Sequence, residues 1–203
     1  MVKIIDGKFE ANEILEYTRK KIEYIIENFG KRPKLVTVLV GNNHASQIYI
    51  NAKIKKSKEV GINADLIGLE SATDKFQLIK LINSLNNDDD INAILVQLPL
   101  PKPLDDAIVY KHINHEKDVD AFGFLNTGLL IHKKSFVLPC TPSGILYILK
   151  KYMKNLSGKK AVVIGRSIIV GKPIASILLN ENCTVVCTHS KTEDLKKECQ
   201  SAD

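Results

Sequence analysis

The chain has 203 residues, 44% hydrophobic and 26% charged, a soluble globular balance with room for one large domain or two small ones. No apolar run approaches the roughly 20 residues of a membrane span, and the opening MVKIIDGKFEANEIL has acids and no apolar signal core, so the expected compartment is the cytoplasm. The formal net charge of +6 raises a nucleic-acid reading, but the lysines are interleaved with acids, as in KKIEYIIEN and TEDLKKECQ, so small anionic ligands are expected rather than nucleic acid or membrane.

The predicted elements alternate along the chain. An amphipathic helix covers Ala11–Asn28. KLVTVLVG is a continuous apolar, β-branched run ended by Gly41 and reads as a buried strand. The next helix carries Tyr49 and Lys53 and stops near Gly61; ADLIGLE reads as a second strand, and Asp74–Asn87 as a helix. NAILVQLPLP is a third strand, ended by Pro99, Pro101 and Pro103, and a short helix follows over Asp105–Lys111. This βαβαβ series predicts an α/β fold, a parallel sheet with helices on both faces.

HINHEKDVDAFGFLNTG is turn-rich and reads as a link between two units, giving expected domains of 1–138 and 139–203. After it come a helix starting near Pro142 or Ser143, the strand KKAVVIG, a helix ending near Asn182, the strand CTVVCTH and a helix-like EDLKKECQ. Two strands are too few for a stable parallel sheet. The second domain is therefore expected to complete its sheet elsewhere or to belong to a truncated chain. A polypeptide ending at Asp203 would expose apolar edges and is expected to be poorly soluble and nearly inactive in hydride transfer.

Cys140, Cys183, Cys187 and Cys199 contain no CxxC pair. On a strand, Cys183 and Cys187 would be spaced over about 13 Å. Reduced thiols are expected, and no metal.

VVIGRSIIVGKPIAS places Gly165 at a strand end and Gly171 near a helix start, the place where α/β sheets cradle phosphates on main-chain N–H groups. It is not G-x-G-x-x-G, because position 167 is Ser167, and Arg166 and Pro173 exclude a Walker A loop. Spacing alone leaves a tight, ligand-free turn equally open. Downstream, THSKT offers Ser190 and Lys191 and no acid; with Arg166 nearby, such a corner suits a 2′-phosphate and hence NADP over NAD.

In SQIYINAKIKK, Tyr49 and Lys53 are four residues apart and so share a helix face. Each is individually a common surface residue. Lys55 and Lys56 read as solvated, Asp118 as a turn former, and His112, His115 and His132 have no assignable partner.

Five separated motifs, SQIYINAKIKKSKEVGI, ILVQLPLP, KDVDAF, PCTPSGI and VVIGRSIIVGKP, together resemble the bifunctional methylenetetrahydrofolate dehydrogenase/cyclohydrolase family, in order from Lys3 to Asp203. The resemblance implies a two-domain α/β enzyme with folate bound in a cleft, NADP on a Rossmann-like second domain, and a homodimer. It implies oxidation of 5,10-methylenetetrahydrofolate to the methenyl compound, then hydrolysis to 10-formyltetrahydrofolate. It also implies site residues. Lys53 is the catalytic lysine, in a dry cleft where it exchanges protons with folate or water, and Tyr49 stacks on the aminobenzoate. Gln97 holds the lysine in place, Leu98 and Pro99 line the substrate, and Asp120 receives the pterin ring. Gly165, Arg166, Ser167, Gly171, Pro173 and Ser190 are assigned to the cofactor. Two departures stand out: the family's usual glycine after the second aspartate is Ala121, and family members continue well past Asp203 with further strands, a GGVGP-type loop and a closing helix. Rival expectations are an NADP dehydrogenase of another small acid on the same plan, distinguished by loss of folate binding, and a non-catalytic basic module, distinguished by steep salt-dependent nucleic-acid binding.

Overall fold

The computed structural model describes residues 4–203; residues 1–3, where the opening segment and the resemblance begin, lie outside the described residues. The chain divides into two compact units, one up to Ile108 and one from Val109 to Asp203.

In the first unit, α1 (Gly7–Phe29) begins earlier than its apolar pattern suggests. Asp6 caps it by accepting from the N–H groups of Lys8 and Phe9, which satisfies two of the donors that a helix start leaves orphaned. β1 (Lys34–Val40), β2 (Asn63–Leu69) and β3 (Ala93–Val96) form a parallel sheet in the order β2-β1-β3. The central strand is buried from Val36 to Val40 on both alternating faces, as expected of a covered parallel strand, whereas edge strand β2 is mostly exposed. α2 (His44–Glu59) follows β1, and α3 (Lys75–Asn86) follows β2. Asp74 and Gln77 close a capping box at the start of α3, which buries Leu78, Ile82 and Leu85. Each such fully buried aliphatic side chain contributes about 1.5–3 kcal/mol of transfer free energy. β3 is shorter than its apolar run because it stops before the prolines; the Gln97 N–H still donates to the Val38 carbonyl at 2.9 Å, extending the pairing by one residue. The short α4 (Ala107–His112) begins at the end of this unit.

The second unit differs from expectation first in the turn-rich stretch. It contains a helix, α5 (Phe124–Ile131), which packs on the helix over Gly171–Asn180. α6 (Cys140–Tyr152) starts two residues before Pro142, so that proline sits inside the first turn, where its missing N–H costs nothing. β4 (Lys160–Ile164) and β5 (Thr184–Thr188) pair in parallel, joined by α7 (Gly171–Asn180), and α8 (Leu195–Gln200) follows. A core of Leu130, Leu156, Ile174, Ile177, Leu178 and Cys183 is closed by Leu146, Leu149 and Val163. Opposite β5, the other edge of β4 meets Asp203: its N–H donates to the Lys160 carbonyl at 3.0 Å, and its carboxylate accepts from the Lys160 N–H at 2.7 Å. Of the four cysteines, Cys183 is buried and Cys140, Cys187 and Cys199 are exposed. Among the described residues, no helix is long and apolar enough to cross a membrane.

Candidate active site and cofactor corner

The first candidate centre lies at the carboxyl end of the three-stranded sheet, where open α/β sheets expose ligand sites. Asn43 caps α2 by accepting from the Ser46 N–H at 3.0 Å, which fixes where the helix starts and hence which residues face inward. Ser46 and Ile50 are buried, and Lys53, Ile54 and Ser57 continue that stripe half-buried. Lys53 is therefore held at the margin of the packed face, while Lys55 and Lys56 stand in solvent as expected, Lys56 paired with Glu59 at 2.7 Å. The Lys53 Nζ lies 3.5 Å from the Gln97 Oε1, a long contact across the sequence from α2 to the residue after β3. Gln97 is itself oriented: its Nε2 donates to the Leu98 carbonyl at 2.8 Å, which leaves Oε1 turned toward the ammonium. Tyr49, one turn before Lys53, is 67% exposed and offers its ring face to a ligand. Leu98 is half-buried and Pro99 exposed beside them.

Asp120 belongs to the second unit, in the turn before α5, and is half-buried. The Cys140 Sγ approaches its Oδ1 at 3.8 Å. Ala121, at the family's usual glycine position, has φ 55° and is buried. The left-handed conformation costs an L-residue about 1–2 kcal/mol, which is the physical reason for glycine there. Asp118, expected from the sequence as a turn former, and Asn126 are both buried and bonded to each other. An asparagine inside the apolar FLNTGLLI was the available signal, since a buried amide needs partners. His115 stacks edge-on against Phe136, and His132 caps the end of α5.

The second candidate centre is the corner between β4 and α7. Gly165 has φ 123° and donates to the Thr188 carbonyl at 2.8 Å. At Gly171 a Cβ would lie 2.6 Å from the Gly165 carbonyl oxygen and 2.8 Å from the Arg166 nitrogen, so only glycine lets the helix start this close to the loop. The helix does not leave its first N–H groups open in the way the glycine pattern suggests. Ser167 Oγ accepts from Val170 and Gly171 at 3.2 and 3.1 Å, the Ser167 carbonyl takes Lys172, and the buried Pro173 has no N–H. The groups left open at this corner are the exposed Arg166–Ile169 loop and the Arg166 guanidinium, a donor that could hold an anion. After β5, the turn His189–Thr192 is closed by three bonds: His189 N–H to Thr192 Oγ1 at 2.8 Å, Thr192 N–H to the His189 carbonyl at 2.8 Å, and Lys191 N–H to His189 Nδ1 at 3.2 Å. Ser190 and Lys191 are exposed on it. With a guanidinium, a hydroxyl and an ammonium on this unit and no acid from Thr188 to Thr192, the donor set fits a dinucleotide bearing a 2′-phosphate.

Comparison with known proteins matches one family model to each part of the chain. Residues 5–120 match the model of the tetrahydrofolate dehydrogenase/cyclohydrolase catalytic domain, and residues 139–203 that of its NAD(P)-binding domain. The bifunctional protein FolD of Listeria innocua is 47% identical over 204 residues, which is 100% of this chain and 71% of the relative. The structure of the bifunctional FolD enzyme from Campylobacter jejuni superposes with a TM-score of 0.94 at 41% identity, covering 98% of this chain and 70% of that one. That of the Trypanosoma brucei enzyme, complexed with NADP and an inhibitor, gives 0.94 at 30% identity, covering 100% and 70%. Across the first curated relatives the chain spans between 66% and 71% of their length. Matched along its whole length at this identity, with a catalytic and a cofactor unit in the same order, the chain belongs to the tetrahydrofolate dehydrogenase/cyclohydrolase family.

Proposed function

We propose that this chain carries out two consecutive steps of one-carbon metabolism: oxidation of 5,10-methylenetetrahydrofolate to 5,10-methenyltetrahydrofolate, and hydrolysis of that product to 10-formyltetrahydrofolate. The observation that carries the proposal is the Lys53–Gln97 pair at the carboxyl end of the sheet, one turn from an exposed tyrosine. The family match and the NADP-complexed relative support it. NADP, when bound, supplies the acceptor for the hydride lost by the methylene carbon. Arg166 and Ser190 would meet its 2′-phosphate, with Gly165, Ser167, Gly171 and Pro173 shaping the corner.

The work of the chain's own side chains is to bind, orient and move protons. Tyr49 gives the aminobenzoate ring a flat partner, with Leu98 and Pro99 beside it. Asp120, in the second unit, receives the aminopyrimidine edge of the pterin, since a carboxylate accepts two such bonds. In hydrolysis, water adds to the methenyl carbon and loses a proton. Because the product keeps that carbon on nitrogen 10, the bond to nitrogen 5 is the one that opens: the added hydroxyl gives up its remaining proton to become the formyl carbonyl, one proton is released overall, and nitrogen 5 takes up a proton. Lys53 is the group proposed to shuttle that proton, with Gln97 holding its amine in position. The folate-binding region is proposed to extend over 1–138 and the NADP-binding region over 139–203, in a homodimer, as the family resemblance supports; the proposed compartment is the cytoplasm.

The test is Lys53→Met, assayed for both reactions in the same preparation. General acid–base assistance is worth about 10²–10⁴-fold. Cyclohydrolase activity is expected to fall by at least that range while dehydrogenase activity falls less. Near-normal hydrolysis of the methenyl compound by the variant would remove Lys53 from the mechanism.

A further inference from the structure

Around Asp120 the chain makes a turn that its own sequence does not favour. Ala121 sits at φ 55°, and its N–H donates to the Asp118 carbonyl at 3.2 Å. Left alone, an alanine relaxes toward negative φ, and Asp120 would swing with it. Something must therefore hold both ends of the turn. The Asp118 side chain, 4% exposed, does so at one end: its Oδ2 accepts from the Gly123 N–H at 2.8 Å and from the Asn126 Nδ2 at 3.0 Å. Asn126, 0% exposed, holds the other: the same Nδ2 also donates to the His115 carbonyl at 3.0 Å, tying the segment before Asp118 to the first turn of α5. The approach is close enough that a Cβ on Gly123 would meet Asp118 Oδ2 at 3.0 Å. The Asn126 Oδ1 is buried with no hydrogen-bond partner. A side chain chosen for stability alone would not leave that oxygen orphaned, because a buried unpaired carbonyl is costly.

We propose that Asp118 and Asn126 form a buried latch that clamps the 118–123 turn and so positions Asp120 for its folate contact; both are positioning residues, and neither touches substrate. The latch rests on the proposed role of Asp120 in receiving the pterin ring. It explains how the chain keeps alanine where glycine is usual: the bonds from Gly123 and Asn126 to one carboxylate oxygen offset the unfavourable φ at Ala121. It also fixes the direction of Asp120 before any ligand arrives, which lowers the ordering cost of binding.

Asn126→Leu is the decisive variant, because leucine has a similar volume, removes the latch donor and also removes the orphaned oxygen. Dissociation constants for tetrahydrofolate and for NADP are measured on the same preparations of wild type, Asn126→Leu, Asp120→Ala and the double variant. The latch predicts that Asn126→Leu weakens tetrahydrofolate binding about tenfold, the scale of one bond to a charged group, with NADP binding unchanged. It further predicts that Asn126→Leu adds nothing once Asp120 is already alanine, since the latch acts only through that residue. Asp118→Asn, which keeps an acceptor oxygen, should retain more affinity than Asp118→Ala. Wild-type tetrahydrofolate affinity in Asn126→Leu overturns the latch. So does equal weakening of both ligands, or a further loss in the double variant, either of which marks a general packing role. Unchanged affinity in Asp120→Ala alone overturns instead the assignment of Asp120 to the pterin, and the latch with it.

Discussion

The Lys53–Gln97 centre and the Gly165–Gly171 corner sit at the ends of parallel strands, yet they are built from different materials. The first is made of side chains. Lys53, Tyr49 and Gln97 come from a helix and a strand end far apart in sequence, and no backbone feature demands any of them. The second is made of backbone: a glycine at φ 123°, a helix start with no room for a Cβ, and a serine and proline that use up the first N–H groups. A site of the first kind can lose its chemistry and keep its fold. In a site of the second kind, fold and function fail together.

Gly171→Ala gives the largest expected effect. Its Cβ would fall 2.6 Å from the Gly165 carbonyl oxygen, and backbone cannot yield as a side chain does. Overpacking of this sort costs about 1–3 kcal/mol, and the displaced loop carries Arg166. A lower melting temperature together with weakened NADP binding is expected in one preparation. Normal values for both would show that the corner is more compliant than its geometry indicates.

Gln97→Leu probes the other side of the contrast. Leucine fills the half-buried strand-end position but cannot hold the Lys53 amine, and a misplaced catalytic group costs about 10²-fold in rate. Turnover should fall by that order while the melting temperature shifts little. A large drop in stability would show that this centre is part of the fold after all.

How legible the two centres are in the sequence follows from the same difference. The glycine corner is readable from spacing, because steric demands at Gly171 and a strand end at Gly165 leave their mark on residue type. Its ligand is not readable that way: Ser167 and Pro173 satisfy the helix start in a manner that no spacing rule reveals. Lys53 and Gln97 look ordinary one at a time, and only the joint order of five motifs marks them. α5 is not legible in the sequence because it has eight residues, is apolar nearly all round and carries Gly128 in mid-run, so neither length nor periodicity separates it from a turn. The Asp118–Asn126 pair is illegible for a simpler reason: a buried bond between two polar residues has no periodicity at all.

Arg166→Ala sharpens what the cofactor corner reads. The guanidinium is exposed, and no carboxylate stands at the neighbouring turn after β5. A charge-assisted contact to phosphate is worth about 1.5–3 kcal/mol, so the ratio of catalytic efficiencies with NADP and NAD should fall roughly 10- to 100-fold. An unchanged ratio would assign the phosphate to other residues, with Ser190 and Lys191 the next to test.

The smallest expected effect concerns Asp203, on the edge of β4 opposite β5. Bonds from the Lys160 N–H and the Lys159 ammonium hold its carboxyl below the ordinary aspartate value. A group whose folded pKa is depressed contributes stability above its unfolded pKa and loses it as pH falls through the folded value. The contribution of Asp203 is therefore in place at neutral pH and fades only in the acid range, below about 4, where aspartates normally titrate. The carboxylate is solvent-exposed and its ammonium partner is screened by salt, so the effect is a change in the acid limb of the stability curve rather than in the plateau. Asp203→Asn should flatten that limb slightly and leave the glycine corner untouched, with NADP binding at neutral pH as in wild type. Thermal melts of both proteins from pH 7 down to 3 make the comparison. A variant that also loses NADP binding would mean that the β4 edge and the β4–α7 corner are mechanically coupled, and that the backbone-built centre extends across the strand to its far side.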